Sequence, residues 1–185
     1  MNQKKVLHVG CGPNQPGRLF QTFRGTDWQE VRLDIDPAVE PDILGDIRDM
    51  NQVASNSFDA LWSSHNVEHL YAHEVPLALG EFFRVIKPGG YALVTLPDIQ
   101  AVAAAVAQGN LEGVLYQSPE GPISAIDILW GHRPPIAAGN TFMAHKTGFT
   151  GETLKRHLMN AGFCNIEMEH QGYNLWGFGH KPPRA

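Results

Sequence analysis

Short apolar runs alternate with turn residues through the first half of the chain. Mostly aliphatic runs of roughly four to eight residues, bounded by glycine, proline or aspartate, are typical of strands buried on both faces of a parallel sheet. The pattern predicts five such strands, at Val6–Val9, Val31–Asp36, Asp42–Asp46, Phe58–Ser63 and Tyr91–Leu96.

The clearest helix is predicted between the fourth and fifth strands. Its apolar side chains recur at helical spacing, at Val75, Leu79, Phe82, Phe83 and Ile86. The sequence Lys87–Gly90 contains a proline and two glycines, which end the helix and return the chain to the sheet. A strand, a helix and a strand in this order predict a right-handed crossover. Shorter helical patterns cover Arg18–Phe23 and Ile99–Gln108.

A further helix is predicted near the carboxyl end of the chain. Thr150 suits the N-cap position, and Glu152 suits the positive end of the helix dipole. Phe149 can pack on Leu154 as a hydrophobic staple, and Gly162 is expected to end the helix.

Two β-like stretches follow this helix, Cys164–His170 and Leu175–His180, and predict a closing antiparallel pair. Residues 98–148 break the pattern beyond their first, helical part, because glycine and proline recur through them. An irregular stretch of this length is either a mobile surface excursion or a functional loop.

Aromatic and other large apolar residues in this stretch favour a lid or wall over a substrate, at Leu111–Lys146. The side chains expected to form an apolar wall are Tyr116, Ile126, Leu129, Trp130, Phe142 and Met143, with polar contacts from His132, Arg133 and His145. The alternative is that these apolar side chains form a subunit interface.

Length and charge narrow the classes of function. The 185 residues are enough for one domain, with a net charge of −5 from 14 Lys and Arg against 19 Asp and Glu. A net acidic domain is not attracted to phosphate backbones or anionic lipid, so neither nucleic acid nor a membrane is expected as a partner. Cys11 and Cys164 form no disulfide framework, and without an apolar targeting segment a cytoplasmic protein is expected. Whether the chain forms a homodimer is left open by the sequence.

A glycine turn and an acidic residue indicate a nucleoside-binding site. Gly10-Cys11-Gly12 leaves the first strand, where glycine allows positive φ and close approach of the backbone to a ligand. Asp34 ends the second strand, where a carboxylate can accept hydrogen bonds from both hydroxyls of a ribose. The alternative role for Asp34 is to cap the turn at Pro37, although Asp36 can do the same.

A second acidic residue follows the third strand. Asp46 could accept a hydrogen bond from an exocyclic amine such as that of adenine, while Ile35 and Ile47 offer apolar faces to the ring. Asp49 is the alternative acid for this role.

These segments, in this order, resemble class I S-adenosylmethionine-dependent methyltransferases of the small-molecule group called type 11. The resemblance rests on five motifs, Val6–Gly12, Val31–Pro37, Gly45–Asp46, Phe58–Ser64 and Arg84–Gly90. It implies an α/β fold with a Rossmann-like, doubly wound, seven-stranded sheet, mostly parallel with a carboxyl-terminal antiparallel pair. It also implies a single domain over 1–185, with a cofactor-binding half at 1–97, a variable lid or substrate segment at 98–148 and a closing unit at 149–185.

The resemblance also implies roles for individual residues. Gly10, Cys11 and Gly12 would hold the methionine part of S-adenosyl-L-methionine, and Asp34 would hold its ribose. Ile35, Asp46 and the Ile47 amide would bind adenine, and His65 would lie near the reacting sulfonium. His8 departs from the family pattern, which has an acid two residues before the first glycine, and Asn14 replaces a third glycine.

The sequence His65-Asn66-Val67-Glu68-His69 spells H-x-x-E-H, a zinc-hydrolase signature. That chemistry needs the motif inside a helix, whereas here it follows a strand directly, so no metal site is expected. We expect His65 to face the cofactor, and Glu68 and His69 to order the loop or touch the substrate. A purely structural pair is the alternative.

The expected reaction is methyl transfer to a small-molecule acceptor by in-line displacement, for which the protein aligns the reactants and excludes water. A hydroxyl or ammonium acceptor needs a base, and His65, His69 and His145 are the candidates. Two alternatives remain. One is a cofactor-binding protein without catalysis, with a regulatory or interaction role; the other is a nicotinamide-dependent oxidoreductase, although G-x-G-x-x-G is missing.

Overall fold

The computed structural model describes residues 3–184. Its strands are β1 (Lys4–Val9), β2 (Trp28–Asp34), β3 (Ile43–Leu44), β4 (Phe58–Ser64), β5 (Ile86–Pro97), β6 (Val114–Ser118), β7 (Gly121–Ser124), β8 (Cys164–Gln171) and β9 (Asn174–His180). Its α-helices are α1 (Val75–Val85), α2 (Ile99–Ala107), α3 (Ala125–Trp130), α4 (Arg133–Ala137) and α5 (Gly151–Asn160). Single 3₁₀ turns cover Gln21–Phe23, Pro37–Val39, Val67–His69 and Thr141–Met143.

Seven strands form one sheet in the order β3-β2-β1-β4-β5-β9-β8. The first five in this order are parallel to one another, whereas β9 runs antiparallel to both β5 and β8. The predicted Rossmann-like sheet with a carboxyl-terminal antiparallel pair is therefore confirmed. The order reverses between β1 and β4, and ligands of such sheets bind beyond the carboxyl ends of the strands at that point.

Alternate side chains of the central strands build two different cores. Leu7 and Leu61 face the larger core, where they join Phe82 of α1 and Leu154 of α5, all fully buried. Val6 and its neighbours on the other face meet an aromatic cluster instead, formed by Phe20, Phe23, Trp28, Trp62, Tyr91 and Trp176. Burial of such large rings contributes much of a domain's stabilisation.

The helix predicted at Arg18–Phe23 is wrong, because only the 3₁₀ turn Gln21–Phe23 forms there. Phe20 and Phe23 are held by packing: the Phe20 ring lies 5.3 Å from the rings of both Trp62 and Trp176. The aromatic contacts therefore determine the path of this loop, and helix propensity does not.

The predicted bounds of β2 are also wrong. The strand ends at Asp34 rather than at Asp36, since the Asp36 side chain accepts a hydrogen bond from the Ala38 amide and starts a turn. Nor is β2 apolar on both faces: Glu30, Arg32 and Asp34 point to one side of the pleat, opposite the buried Leu33. This polar face becomes part of the site described below.

Residues 98–148 are more regular than expected. Helix α2 confirms the helical pattern at Ile99–Gln108, and β6 and β7 form an antiparallel hairpin. The hairpin and α3 share a small apolar core with α2, whose buried members are Val102, Ile123, Ala125 and Ile128. The segment is therefore a packed subdomain rather than a loose excursion. Within residues 3–184, none of the helices combines the length and the apolar character that a bilayer span needs.

The amino end of α5 confirms the predicted cap. Thr150 Oγ1 accepts a hydrogen bond from the Thr153 amide at 3.3 Å, and the Thr150 amide donates to Thr153 Oγ1 at 2.9 Å. Phe149 and Leu154 are both buried in the main core, as a staple requires.

Replacing this cap tests the contribution of α5 to stability. Thr150→Ala is expected to lower the free energy of unfolding by about 1 kcal/mol, because an amide of the first turn loses its acceptor. Urea unfolding monitored by circular dichroism measures the difference. Thr150→Ser keeps the hydroxyl and should stay close to the parent; equal stability of all three proteins would show that the cap contributes nothing.

Candidate functional site

A cavity of about 960 Å³ opens at the carboxyl edge of the parallel strands. Ligand pockets of proteins usually measure roughly 300–1,000 Å³. One wall comes from the turns after β1, β2 and β3, and the opposite wall comes from the segment between α2 and α5. The residues that form this second wall include Tyr116, Glu120, Ile128, His132, Phe142, Met143 and His145.

The glycine turn after β1 has the predicted backbone. Gly10 and Gly12 both have φ of +60°, a conformation that side chains strongly disfavour. A Cβ atom at Gly10 would stand 2.5 Å from Cγ of Asn66, and one at Gly12 would stand 2.9 Å from Nη1 of Arg18. The turn therefore needs glycine at both positions, and it exposes backbone to the cavity.

Asp34 connects this turn to the end of β2. Its Oδ2 accepts a hydrogen bond from the Gly12 amide at 2.8 Å, and its Oδ1 accepts one from the Asp36 amide at 3.0 Å. Asp36, not Asp34, caps the turn at Pro37, so the sequence alternative is resolved in favour of Asp36. A carboxylate can accept about four hydrogen bonds, so the buried Asp34 keeps acceptor capacity for a ligand in the cavity.

The third turn carries apolar and acidic groups. The Ile35 side chain lines the cavity although it is 44% exposed, while Ile47 beside it is buried. Asp46 lines the cavity and Asp49 does not. Arg48 binds the Asp46 carboxylate through its guanidinium, and this hydrogen bonding holds the pKa of Asp46 below its ordinary value. The partnership with Arg48 was not predicted from the sequence.

Several buried polar atoms around the cavity have no hydrogen-bond partner among the described residues. They are Thr95 Oγ1, Asn66 Nδ2 and Trp176 Nε1, all in residues that line the cavity; Oε2 of Glu68, which precedes the cavity-lining His69, is also unpaired. Buried polar atoms are rarely left unpaired, since each such atom costs about 1–3 kcal/mol. The glycine turn, the remaining acceptor capacity of the Asp34 carboxylate and the unpaired donors fit a ligand with a nucleoside and an amino-acid part.

The three histidines predicted as candidate bases come together. His65 follows β4 with φ of +48°, a strained conformation that often marks functional sites. Its Nδ1 lies 3.2 Å from Oε1 of the buried Glu68. His69 and His145 lie edge to face, with ring centroids 4.9 Å apart.

Charge and burial set the pKa values of this cluster. Burial alone would lower the pKa of His65, but the hydrogen bond and charge of Glu68 raise it above its ordinary value. Burial would raise the pKa of Glu68, but the hydrogen bond from His65 and the charges of His69 and His145 lower it. Burial lowers the pKa of His145.

The H-x-x-E-H sequence was predicted to lie outside a helix, and the structure confirms this. His65 stands at the end of β4, Val67–His69 forms a 3₁₀ turn, and α1 begins only at Val75. The helical i, i+4 geometry of zinc hydrolases is therefore absent from this segment.

Three polar contacts of the site were not predicted from the sequence. Arg32 of β2 donates a hydrogen bond to the carbonyl of Gly12 at 2.6 Å and so helps to fix the glycine turn. His8, which departs from the family pattern, lies 2.6 Å from a carboxylate oxygen of Glu30. The alternation of charged and apolar residues along β2 was the available signal for both contacts.

The third missed pair joins the two cavity walls. Arg18 Nη2 lies 3.5 Å from Oε1 of Glu120 at the tip of the β6–β7 hairpin. The two residues are 102 positions apart, so no local sequence pattern could predict the contact. Of the lid side chains proposed from the sequence, Tyr116, Phe142 and Met143 line the cavity, whereas Trp130 is 58% exposed and does not.

The amino-terminal half of the chain, which carries the three turns, matches a known family. Residues 7–94 match the family model described as a methyltransferase domain, which confirms the resemblance found in the sequence. Among curated proteins, none matches the chain by sequence.

Solved structures share the fold. A SAM-dependent methyltransferase from Archaeoglobus fulgidus is 14% identical with a TM-score of 0.64, over 96% of this chain and 86% of its own. A SAM-dependent methyltransferase from Methanosarcina mazei is 17% identical with a TM-score of 0.60, over 100% and 95%. An O-methyltransferase family protein from Burkholderia thailandensis is 11% identical with a TM-score of 0.62, over 98% and 52%.

The cysteine of the glycine turn provides a test of the site as described. Burial, partly offset by Arg32, raises the pKa of the Cys11 thiol to about 11. Only about one thiol in a thousand is then ionised at pH 8, and the thiolate is the reactive form. In Cys164→Ser protein, iodoacetamide should therefore label Cys11 very slowly at pH 8 and faster as the pH approaches 11.

Cys11→Ser protein is the matched control, since it retains only the less buried Cys164. Mass spectrometry of timed samples gives both rates. Labelling of Cys11 at pH 8 as fast as that of Cys164 would contradict the buried turn.

Proposed function

We propose that this chain is a class I methyltransferase that uses S-adenosylmethionine and transfers a methyl group to a small-molecule acceptor held in the cavity. One observation carries the proposal: the turns that fit the cofactor and the subdomain at Leu111–Lys146 face each other across one space of about 960 Å³. A space of this size accommodates a cofactor together with a small acceptor.

Three turns would hold the cofactor. The backbone at Gly10, Cys11 and Gly12 would approach its methionine part, because the two glycines have no side chain and tolerate the positive φ of the turn. Asp34 has acceptor capacity left for the ribose hydroxyls after binding two backbone amides. When bound, the cofactor would supply a methyl carbon activated by a positively charged sulfur, and the neutral thioether would be the leaving group of the in-line displacement.

The adenine ring would lie at the third turn. Ile35 and Ile47 would provide apolar contact, and the Asp46 carboxylate, which Arg48 holds in place, would accept a hydrogen bond from the exocyclic amine. The Arg48 pair leaves the carboxylate ionised, because the pKa of Asp46 is lowered.

His65 is the proposed base for an acceptor that must lose a proton. A carboxylate oxygen can only accept, so the contact with Glu68 puts the Nδ1 proton of His65 between them and leaves Nε2 free to take a proton. A buried acid that orients a histidine in this way is a common device of catalytic sites. His69 and His145 also line the cavity and stay the alternative candidates for the base.

The subdomain at Leu111–Lys146 would exclude water from the reacting groups. Tyr116, Phe142 and Met143 provide the apolar part of its wall, and the Arg18–Glu120 pair joins the hairpin to the cofactor turn. Excluding water matters because alignment of nucleophile, methyl and sulfur is most of what the protein contributes.

A mass-spectrometric screen tests the proposed activity. The protein is incubated with S-adenosylmethionine and pools of quinone precursors, phenols, amines and sugar derivatives. A product heavier than its acceptor by one methylene is expected, together with an equal amount of S-adenosylhomocysteine. His65→Ala should abolish or strongly lower the rate, whereas cofactor hydrolysis without any methylated small molecule would contradict the proposal.

Removing the Asp34 carboxylate tests the cofactor site. Asp34→Ala should weaken binding of S-adenosylhomocysteine by about 1.5–3 kcal/mol, the usual loss for hydrogen bonds to a charged group. Isothermal titration calorimetry measures the affinity, and thermal unfolding confirms that the variant is folded. Asp36→Ala is the comparison, and a larger effect there than at Asp34 would show that the ribose lies one pleat away.

A further inference from the structure

We propose that Glu68, His69 and His145 form a binding site for a divalent transition-metal ion of the zinc type beside the cavity. One ligand atom from each residue lies within 4.8 Å of the others. Ligands of a tetrahedral ion with bonds of about 2.0–2.1 Å stand roughly 3.3 Å apart, so small side-chain rotations would close the set.

The backbone brings these three residues together from distant parts of the chain. Glu68 and His69 lie in the 3₁₀ turn after β4, and His145 lies at the end of the subdomain. The Glu68 carbonyl accepts hydrogen bonds from the Lys146 amide at 2.9 Å and from the Thr147 amide at 3.2 Å. The cluster is therefore fixed by main-chain contacts and does not depend on flexible side chains alone.

Both imidazoles are held in the tautomer that a metal needs. Nδ1 of His69 lies 3.2 Å from the carbonyl oxygen of Ala144, and Nδ1 of His145 lies 2.6 Å from that of Ile128. A carbonyl can only accept, so each Nδ1 carries the proton and each Nε2 keeps a free lone pair. Metal-binding histidines almost always make such a second contact, often to a backbone carbonyl.

The carboxylate of Glu68 lacks a partner that a cation would provide. Its side chain is 1% exposed, its Oε1 faces His65, and its Oε2 has no hydrogen-bond partner in the described part of the chain. A buried carboxylate oxygen without a partner is costly. A cation bound between the Glu68 carboxylate and the two imidazoles would supply the missing interaction.

The donor atoms select the class of metal. Two imidazole nitrogens and one carboxylate oxygen suit zinc and its neighbours, whereas calcium and magnesium prefer oxygen alone. Three protein ligands leave a coordination position open, and His69 and His145 both line the cavity. An oxygen of the acceptor would occupy that position. This last step rests on the proposed function, whereas the metal site itself does not.

The inference departs from the expectation that the H-x-x-E-H sequence binds no metal. That expectation concerned the helical arrangement of zinc hydrolases, in which both histidines of the motif are ligands. Here His65 is not one of the three ligands, because its Nδ1 contacts Oε1 of Glu68. The second histidine ligand, beside His69, is His145.

Calorimetric titration of chelator-treated full-length protein with Zn²⁺ tests the site. We expect one Zn²⁺ per chain, with affinity at least about tenfold weaker in Glu68→Gln, His69→Ala and His145→Ala. His73→Ala is the matched control, because it removes a nearby histidine outside the cluster and should bind Zn²⁺ like the parent. No stoichiometric binding, or equal losses in the control, would overturn the proposal.

Co²⁺ absorption spectra of the parent protein keep the test independent of variant folding. Nitrogen and oxygen ligands should give visible d–d bands without a thiolate charge-transfer band, whereas a thiolate band would assign the ion to a cysteine and overturn the site. Affinity for S-adenosylhomocysteine is measured alongside. Methyl transfer without metal binding would refute this inference and leave the proposed function intact; metal binding without methyl transfer to any acceptor would do the reverse.

Discussion

The carboxylate of Asp34 is the interaction on which the rest of the site depends. It binds the amides of Gly12 and Asp36, and so it joins the turn after β1 to the turn after β2. Hydrogen bonds to a charged group typically contribute about 1.5–3 kcal/mol. The parallel pairing of β1 with β2 brings the two turns to the same edge of the sheet, and Arg32 holds the Gly12 carbonyl from the same polar face. The geometry of the proposed cofactor site follows from this one anchored pair of turns.

The backbone of Glu68 anchors the proposed acceptor side of the cavity, as Asp34 anchors the proposed cofactor side. Its carbonyl binds the amides that follow His145, so the subdomain is attached where β4 ends. Its side chain in turn orients His65. At the opposite end of the cavity, Arg18 and Glu120 form a more exposed contact, which salt screens readily. The subdomain is thus firmly fixed at one end and weakly fixed at the other, which suits a wall that admits a substrate.

Local patterns were enough to predict the sheet and its main helices. Apolar runs separated by turn residues gave the parallel strands, and the capping residues gave the start of α5 at the right residue. The β6–β7 hairpin was missed, although Ser118-Pro119-Glu120-Gly121 is a good β-turn sequence. Contacts between distant residues left no periodic trace: Glu68 and His145 are brought together by the fold, and the loop before β2 follows aromatic packing. The glycine turn and Asp34 were predictable because backbone geometry ties their residue types to their positions.

A crystal structure of the chain with S-adenosylhomocysteine tests the central claim most directly. The account predicts that the ribose hydroxyls bind the Asp34 carboxylate, that the amino-acid part lies along Gly10–Gly12, and that the sulfur faces His65 inside the cavity. A cofactor bound elsewhere, or one that leaves Asp34 bonded only to the two backbone amides, would contradict it.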